Sequence, residues 1–185
     1  MKVIISAGGT GGHIYPAVSL VEYILKDKHN DCLYIGTTDR MESRLIPSLN
    51  IKYEGIEIKG LSKNMGQNFK NIFMLLNSIK KCKKILKEFN PDVVVGFGGY
   101  VTMPVLIAAK NLKIPTAIHE QNCIPGKTNK FLGKDAKRIF LSYEESKEYF
   151  NNQKNIIVSG NPSGERAKHM KAVDKTKLGF SKNKK

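Results

Sequence analysis

Two glycine-rich turns carry the strongest chemical signal in this chain: Gly8-Gly9-Thr10-Gly11-Gly12-His13 and Gly96-Phe97-Gly98-Gly99-Tyr100. Each follows an apolar, strand-like run, residues 3–7 and 93–97, and each opens a helix-like segment. Turns so placed project from the carboxyl ends of parallel strands, where open α/β sheets bind ligands, and their amides can hold an anion. The first turn is not a dinucleotide fingerprint, because G-x-G-x-x-G needs glycine where Ile14 stands. Nor is it a Walker loop, because no Lys-Ser or Lys-Thr closes it. What is left is a nest of small residues with the Thr10 hydroxyl and His13 at the helix start, suited to a phosphate or diphosphate. A tight strand-to-helix connection also wants glycine, but five small residues in a row exceed that need.

His13 stands beside a helix amino terminus, whose positive dipole end favours the neutral imidazole. Such a histidine can accept a proton from a substrate hydroxyl, or it can simply shape the loop through a carbonyl contact. A third cluster, His119, Glu120, Gln121 and Asn122, falls where strand 115–120 ends, on the same sheet edge as the glycine turns. Its carboxylate and amides suit sugar hydroxyls and an N-acetyl group, and a cluster of four polar side chains has no evident structural need there. The alternative pairs Glu120 with a lysine and makes Asn122 a helix cap. The second histidine of H-E-x-x-H is missing, which argues against zinc hydrolysis, and no metal or cofactor is expected.

The elements that must position these residues alternate along the chain. Strands are expected at 3–7, 32–36, 51–58, 93–97, 115–120, 138–141 and 156–159. Helices are expected at 14–26, with Pro16 in the first turn, and at 41–49, 68–89, 101–112, 127–132 and 143–150. The pattern implies right-handed crossovers and a Rossmann-like α/β fold, a mainly parallel sheet with helices on both faces. A domain over residues 1–162 is expected, followed at 163–185 by a basic linker; from 168 onward it holds seven lysines and one acid.

The chain has 185 residues, within the usual size of one domain, and its 31 basic against 16 acidic residues give a net charge of +15. That charge favours a polyanion: nucleic acid, an anionic membrane surface or a phosphorylated substrate. Nucleic acid has only the charge in its favour, with no zinc spacing, helix-turn-helix pattern or stacking-aromatic motif. The uncharged stretch 93–109 is shorter than the roughly 20 residues of a membrane span and holds three glycines and Pro104. Cys32, Cys82 and Cys123 are odd in number and widely spaced, and read as buried thiols of a reducing compartment. The strand starting at Val3 leaves no room for a secretory leader, so a cytoplasmic address is expected.

Within 68–89, Ile72, Leu75, Leu76, Ile79 and Leu86 recur at helical spacing and are expected to face the core. Phe73, Met74, Lys80, Lys81, Lys84 and Lys87 fall off that stripe, and mix apolar with basic character as at an anionic membrane surface or on an ordinary solvated face.

Several segments taken together carry a family resemblance. Residues 7–17 (A-G-G-T-G-G-H-I-Y-P-A), 37–42 (T-T-D-R-M-E), 96–100 (G-F-G-G-Y), 119–122 (H-E-Q-N), 125–130 (P-G-K-T-N-K) and Gly160-Asn161-Pro162 resemble the amino-terminal half of the MurG family, in order and at family-like spacing. The resemblance implies the acceptor half of a two-domain GT-B glycosyltransferase. That family inverts configuration and moves N-acetylglucosamine from UDP-N-acetylglucosamine to the C4 hydroxyl of MurNAc in lipid I, making lipid II for peptidoglycan. By the same resemblance Thr10, Gly11, Gly12 and Asn122 match positions of substrate contact, and His13, Tyr100, His119, Glu120 and Asn129 match cleft positions tied to acceptor binding or catalysis. His13 is the first candidate for the base and Glu120 the second. The family's arginine after Gly-Asn-Pro does not align, since Ser163-Gly164-Glu165-Arg166 follows, and Arg166 is the one candidate to stand in for it. The resemblance further implies a peripheral seat on the cytoplasmic membrane face. It places most UDP-N-acetylglucosamine contacts in a carboxyl-terminal domain outside these residues, so that this chain alone is expected not to turn over. A non-catalytic acceptor and membrane-binding subunit of a split glycosyltransferase is the alternative.

Overall fold

A computed structural model describes residues 1–60, 65–151 and 153–164. The candidate Arg166 and nearly all of the expected linker lie outside the described residues. The elements run β1 (Lys2–Ala7), α1 (Gly11–Ile24), β2 (Asp31–Thr37), α2 (Met41–Ser48), β3 (Lys52–Ile56), α3 (Met65–Phe89), β4 (Val93–Gly98), α4 (Thr102–Asn111), β5 (Thr116–Glu120), α5 (Lys127–Leu132), β6 (Arg138–Leu141) and β7 (Ile156–Val158). The expected helix at 143–150 is instead a 3-10 turn, Glu144–Tyr149. Pro16 is the sixth residue of α1, not part of its first turn, and its missing N–H leaves the Gly12 carbonyl without its helical partner. Helices α2, α3 and α4 are each followed by a residue with positive φ, Asn50, Asn90 and Lys113, which reverses the chain toward the next strand.

The seven strands pair in the order β3-β2-β1-β4-β5-β6-β7, all parallel. From β1 the chain winds outward through β2 and β3, then returns to place β4 on the other side of β1. The boundary between β1 and β4 is therefore the topological switch point, and both glycine turns leave from it.

Alternation along each strand supplies two cores. Ile4, Leu33, Ile35, Val94, Ile118 and Ile139 pack with Leu86, Val105 and Leu132 from α3, α4 and α5. Val3, Ile5, Cys32, Tyr34 and Phe97 face the other way, against Ile14, Val18 and Val21 of α1 and Ile46 of α2. On this second face the helical cover thins beyond β4, leaving an apolar groove of about 520 Å³ lined by Val95, Phe97, Ala117 and Phe140 with Leu20 and Tyr23.

Helix α3 departs from the expected stripe. Its buried side is made of Asn71, Ser78, Cys82, Ile85 and Leu86, while Ile72 and Leu76 are exposed. Asn71 and Ser78 are drawn inward by bonds to the Gly60 and Glu57 carbonyls, which turns Ile72 and Leu76 outward. Cys32 and Cys82 are buried free thiols, but Cys123 is exposed on the loop after β5. Among the described residues no helix is long and apolar enough to cross a membrane.

Candidate functional site

The β1–α1 turn and the β4–α4 turn meet backbone to backbone. Gly99 has φ +85, and a methyl group there would drive into the Gly8 carbonyl, so only glycine allows this approach. Thr102, at the start of α4, donates to the Gly98 carbonyl at 2.8 Å and lies 3.2 Å from that of Ser6, fastening the second turn to β1. A methyl group at Gly98 would stand 3.0 Å from the His13 ring and 3.4 Å from the Asn129 amide. The three stretches singled out in the sequence thus converge on one side of the sheet.

A cleft of about 220 Å³ opens there, lined by Gly8, Gly9, Thr10, His13, Thr37, Arg40, Gly60, Gly99 and Tyr100. Thr10 and His13 are paired through the threonine hydroxyl and Nδ1 at 3.1 Å. Burial holds the imidazole below its ordinary value of 6.5, against the opposing pulls of the Glu120 carboxylate and the Gly8 carbonyl. Gly11 and Gly12 form the first residues of α1, whose N–H groups have no intrahelical acceptor. The Gly9 N–H, in contrast, turns inward and donates to Glu42 at 3.3 Å. Tyr100 is exposed, with its ring packed over Gly60.

The polar cluster after β5 is largely interior. His119 (3% exposed), Glu120 (1%), Gln121 (7%) and Asn129 (2%) are buried, and Asn122 is exposed. Glu120 Oε1 accepts from the Asn122 N–H at 3.0 Å and its amide at 2.9 Å, while Oε2 accepts from the Gly126 N–H at 3.1 Å and the Asn129 amide at 2.9 Å. The cluster therefore has the structural need that the sequence did not reveal: it ties the β5–α5 loop around one carboxylate. Ring nitrogens of His119 lie 3.0 Å from the Gly160 carbonyl and 3.1 Å from the Gln121 amide nitrogen, and the ring stacks on Phe97 at 5.2 Å. Burial lowers its pKa as well. Thr10, His13 and Tyr100 line the cleft; Glu120 acts on the His13 imidazole by its charge, and the Asn129 amide lies across Gly98 from that ring, while His119 lines the apolar groove and Asn122 is exposed.

Two residues escape the sequence reading. Arg40, the residue before α2, lines the cleft and joins none of the ion pairs found among the described residues. Glu42, in the first turn of α2, is completely buried beneath the glycine turn. Both sit in the 37–42 segment, one of those that carry the family resemblance. Among the described residues no group of His, Cys, Asp and Glu side chains is disposed to hold a metal ion.

Residues 3–141 match the glycosyltransferase family 28 N-terminal domain. The chain belongs to that family. A relative from Finegoldia magna, named UDP-N-acetylglucosamine--N-acetylmuramyl-(pentapeptide) pyrophosphoryl-undecaprenol N-acetylglucosamine transferase, is 45% identical over 164 residues, covering 88% of this chain and 44% of its own length. A relative of the same name from Halalkalibacterium halodurans is 42% identical over 193 residues, covering all of this chain and 52% of its own. The chain spans about half the length of the curated relatives it matches. Among solved structures, Acinetobacter baumannii MurG superposes with a TM-score of 0.73 at 30% identity, over 86% of this chain and 45% of that one. A Staphylococcus aureus MnaA–UDP structure has a TM-score of 0.67 at 16% identity, covering 99% of this chain and 49% of that one, a likeness of fold alone. The glycosyltransferase family 28 assignment agrees with the strand order and with the glycine turns at the switch point.

Proposed function

We propose that this chain is the acceptor half of an inverting glycosyltransferase that moves N-acetylglucosamine from UDP-N-acetylglucosamine to the MurNAc C4 hydroxyl of lipid I, the reaction named for its relatives. The observation that carries the proposal is the meeting of His13 with two abutting glycine turns at the switch point of a family 28 sheet. In this reading the acceptor diphosphate lies against the free amides of Gly11 and Gly12 and the Arg40 guanidinium, a full positive charge at a helix start. Thr10, Tyr100 and Asn122 offer polar contacts to the sugar.

His13 removes the proton of the C4 hydroxyl as its oxygen bonds to C1 of N-acetylglucosamine and the C1–O bond to the diphosphate breaks, so that UDP leaves. Its depressed pKa keeps the imidazole neutral and able to accept a proton at physiological pH, and Thr10 fixes the ring through Nδ1. Glu120 already accepts four donors, and its part is to hold the β5–α5 loop and to favour the imidazolium that forms. Asn129 braces Glu120 by donating to its carboxylate and to the His119 carbonyl.

The exposed side of α3 supports a seat on an anionic membrane surface. Ile72, Phe73 and Leu76 are exposed near one end, and Lys80, Lys84 and Lys87 follow toward the other. Lysines at such a surface are worth about 1 kcal/mol each. Lys81 is partly committed, donating to the Gly55 carbonyl at 2.7 Å, and Met74 is half-buried.

The test is reconstitution: this chain joined to the donor half of a relative, assayed for transfer to a lipid I analogue. Transfer that falls by about 10²–10⁴-fold in His13→Ala supports the assignment of the base. Wild-type turnover in that variant removes it.

A further inference from the structure

We infer that Glu42 is a positioning residue that locks the start of α2 onto the β1–α1 glycine turn, so that Arg40 and His13 face each other across one cleft. The inference rests on the anion-cleft reading above for its purpose, and on geometry for its existence.

Glu42 is 0% exposed, and none of the ion pairs found among the described residues includes it. A buried carboxylate without a cation is costly unless hydrogen bonds replace its water. Here Oε1 accepts from the Thr37 N–H at 3.2 Å and the Thr37 hydroxyl at 2.8 Å, and Oε2 accepts from the Gly9 N–H at 3.3 Å. Those donors belong to the end of β2 and to the β1–α1 turn, so one side chain joins three elements. The fit is close on every side. A methyl group at Gly36 would stand 2.7 Å from Glu42 Cγ, and one at Gly8 would strike its carboxylate.

Two tyrosines complete the cage. Tyr34 donates to the Ala7 carbonyl at 3.1 Å and Tyr53 to the Thr37 carbonyl at 2.5 Å, binding the last residues of β1 and β2. Burial first, and the Glu42 carboxylate second, push both phenols above their ordinary range. They remain donors.

The consequence for the cleft is directional. By accepting from the Gly9 N–H, with Gly9 at φ +90, Glu42 occupies that amide, and in the anion-cleft reading the unpaired amides of Gly11 and Gly12 are left to meet the anion. Arg40 is two residues ahead of Glu42, so the same anchor fixes where its backbone enters the cleft.

The test compares the wild-type chain, Glu42→Gln and Thr37→Val, using calorimetric titration with inorganic pyrophosphate and NMR titration of the His13 imidazole. Glutamine keeps the shape but sets an NH₂ group against one of the N–H donors, and loss of a charge-assisted bond predicts pyrophosphate affinity lower by about tenfold. The His13 pKa is expected to rise toward its ordinary value as the turn loosens. Thr37→Val, which removes one donor only, is expected to move both readouts the same way by about threefold or less. A residue that only stabilises the fold would lower the melting temperature and leave both readouts in place; that result overturns the inference. Should Glu42→Gln fail to fold, Thr37→Val decides alone. Should the wild-type chain not bind pyrophosphate, the anion-cleft reading fails, and the His13 titration still decides whether Glu42 positions the turn.

Discussion

Glu42 and Glu120 sit at the same edge of the sheet and work by the same chemistry over different lengths of chain. The donors to Glu120 are 2, 6 and 9 residues away, in the β5–α5 loop and the first turn of α5. Those to Glu42 are 5 and 33 residues away, in two different crossovers. The short-range knot shows in the sequence as a polar cluster, His119 to Asn122. The long-range knot leaves a single glutamate in an ordinary helix start. Both carboxylates accept their bonds from the turns around them, and two of the side chains that line the cleft, His13 and Arg40, are neighbours of the knots.

The largest expected effect separates the two knots by stability. Glu120→Ala strands four donors and is expected to cost about 3 kcal/mol or more, measured from urea midpoints. Glu42→Ala strands three and is expected to cost less while harming pyrophosphate affinity more; the reverse ranking would erase the distinction drawn here. Next comes the contact between the turns. Gly99→Ala, with φ +85 and the Gly8 carbonyl in the way, is expected to cost about 2 kcal/mol, whereas Gly126→Ala has open space around it and should be neutral within about 0.5 kcal/mol.

A pH scan gives a smaller effect. His13 and His119 both have folded pKa values lowered from 6.5, so below 6.5 the unfolded chain binds more protons than the folded one. Stability is thus fully expressed above 6.5 and declines as pH falls toward the folded values. His119→Gln should flatten that decline in thermal melts followed from neutral to acid pH, and an unchanged slope would speak against the buried histidines as its source. The smallest effect concerns α3. Lys80→Ala is expected to weaken binding to anionic vesicles by about 1 kcal/mol, and Lys81→Ala by less because the Gly55 carbonyl already holds that ammonium. Equal losses would mean that Lys81 leaves its partner at the membrane.

Much of the fold is legible in the sequence because apolar runs such as 93–97 and 138–141 are short, bounded by turn residues and separated by helical spacing. Helix α5 and strand β6 fall at the expected residues, and the parallel doubly covered sheet follows from their alternation. Helix α3 is misread at Ile72 and Leu76 because side-chain bonds from Asn71 and Ser78 to carbonyls decide which side turns inward. The 3-10 turn at Glu144–Tyr149 shares its helical spacing with an α-helix, so periodicity alone does not separate them. In the site, the glycine turns and His13 are legible since their composition is unusual in itself. Glu42 and Arg40 are not, because their meaning lies in contacts made only once β1, β2 and α2 are assembled.

The central claim is that the two glycine turns and His13 form one cleft for a diphosphate-linked sugar. Amide NMR of the isotope-labelled chain titrated with a soluble lipid I analogue tests it most directly. The account predicts saturable shifts at Gly11, Gly12, His13, Gly99 and Tyr100 with one shared dissociation constant. Saturable shifts confined to other parts of the chain, or different constants for the two turns, would contradict it.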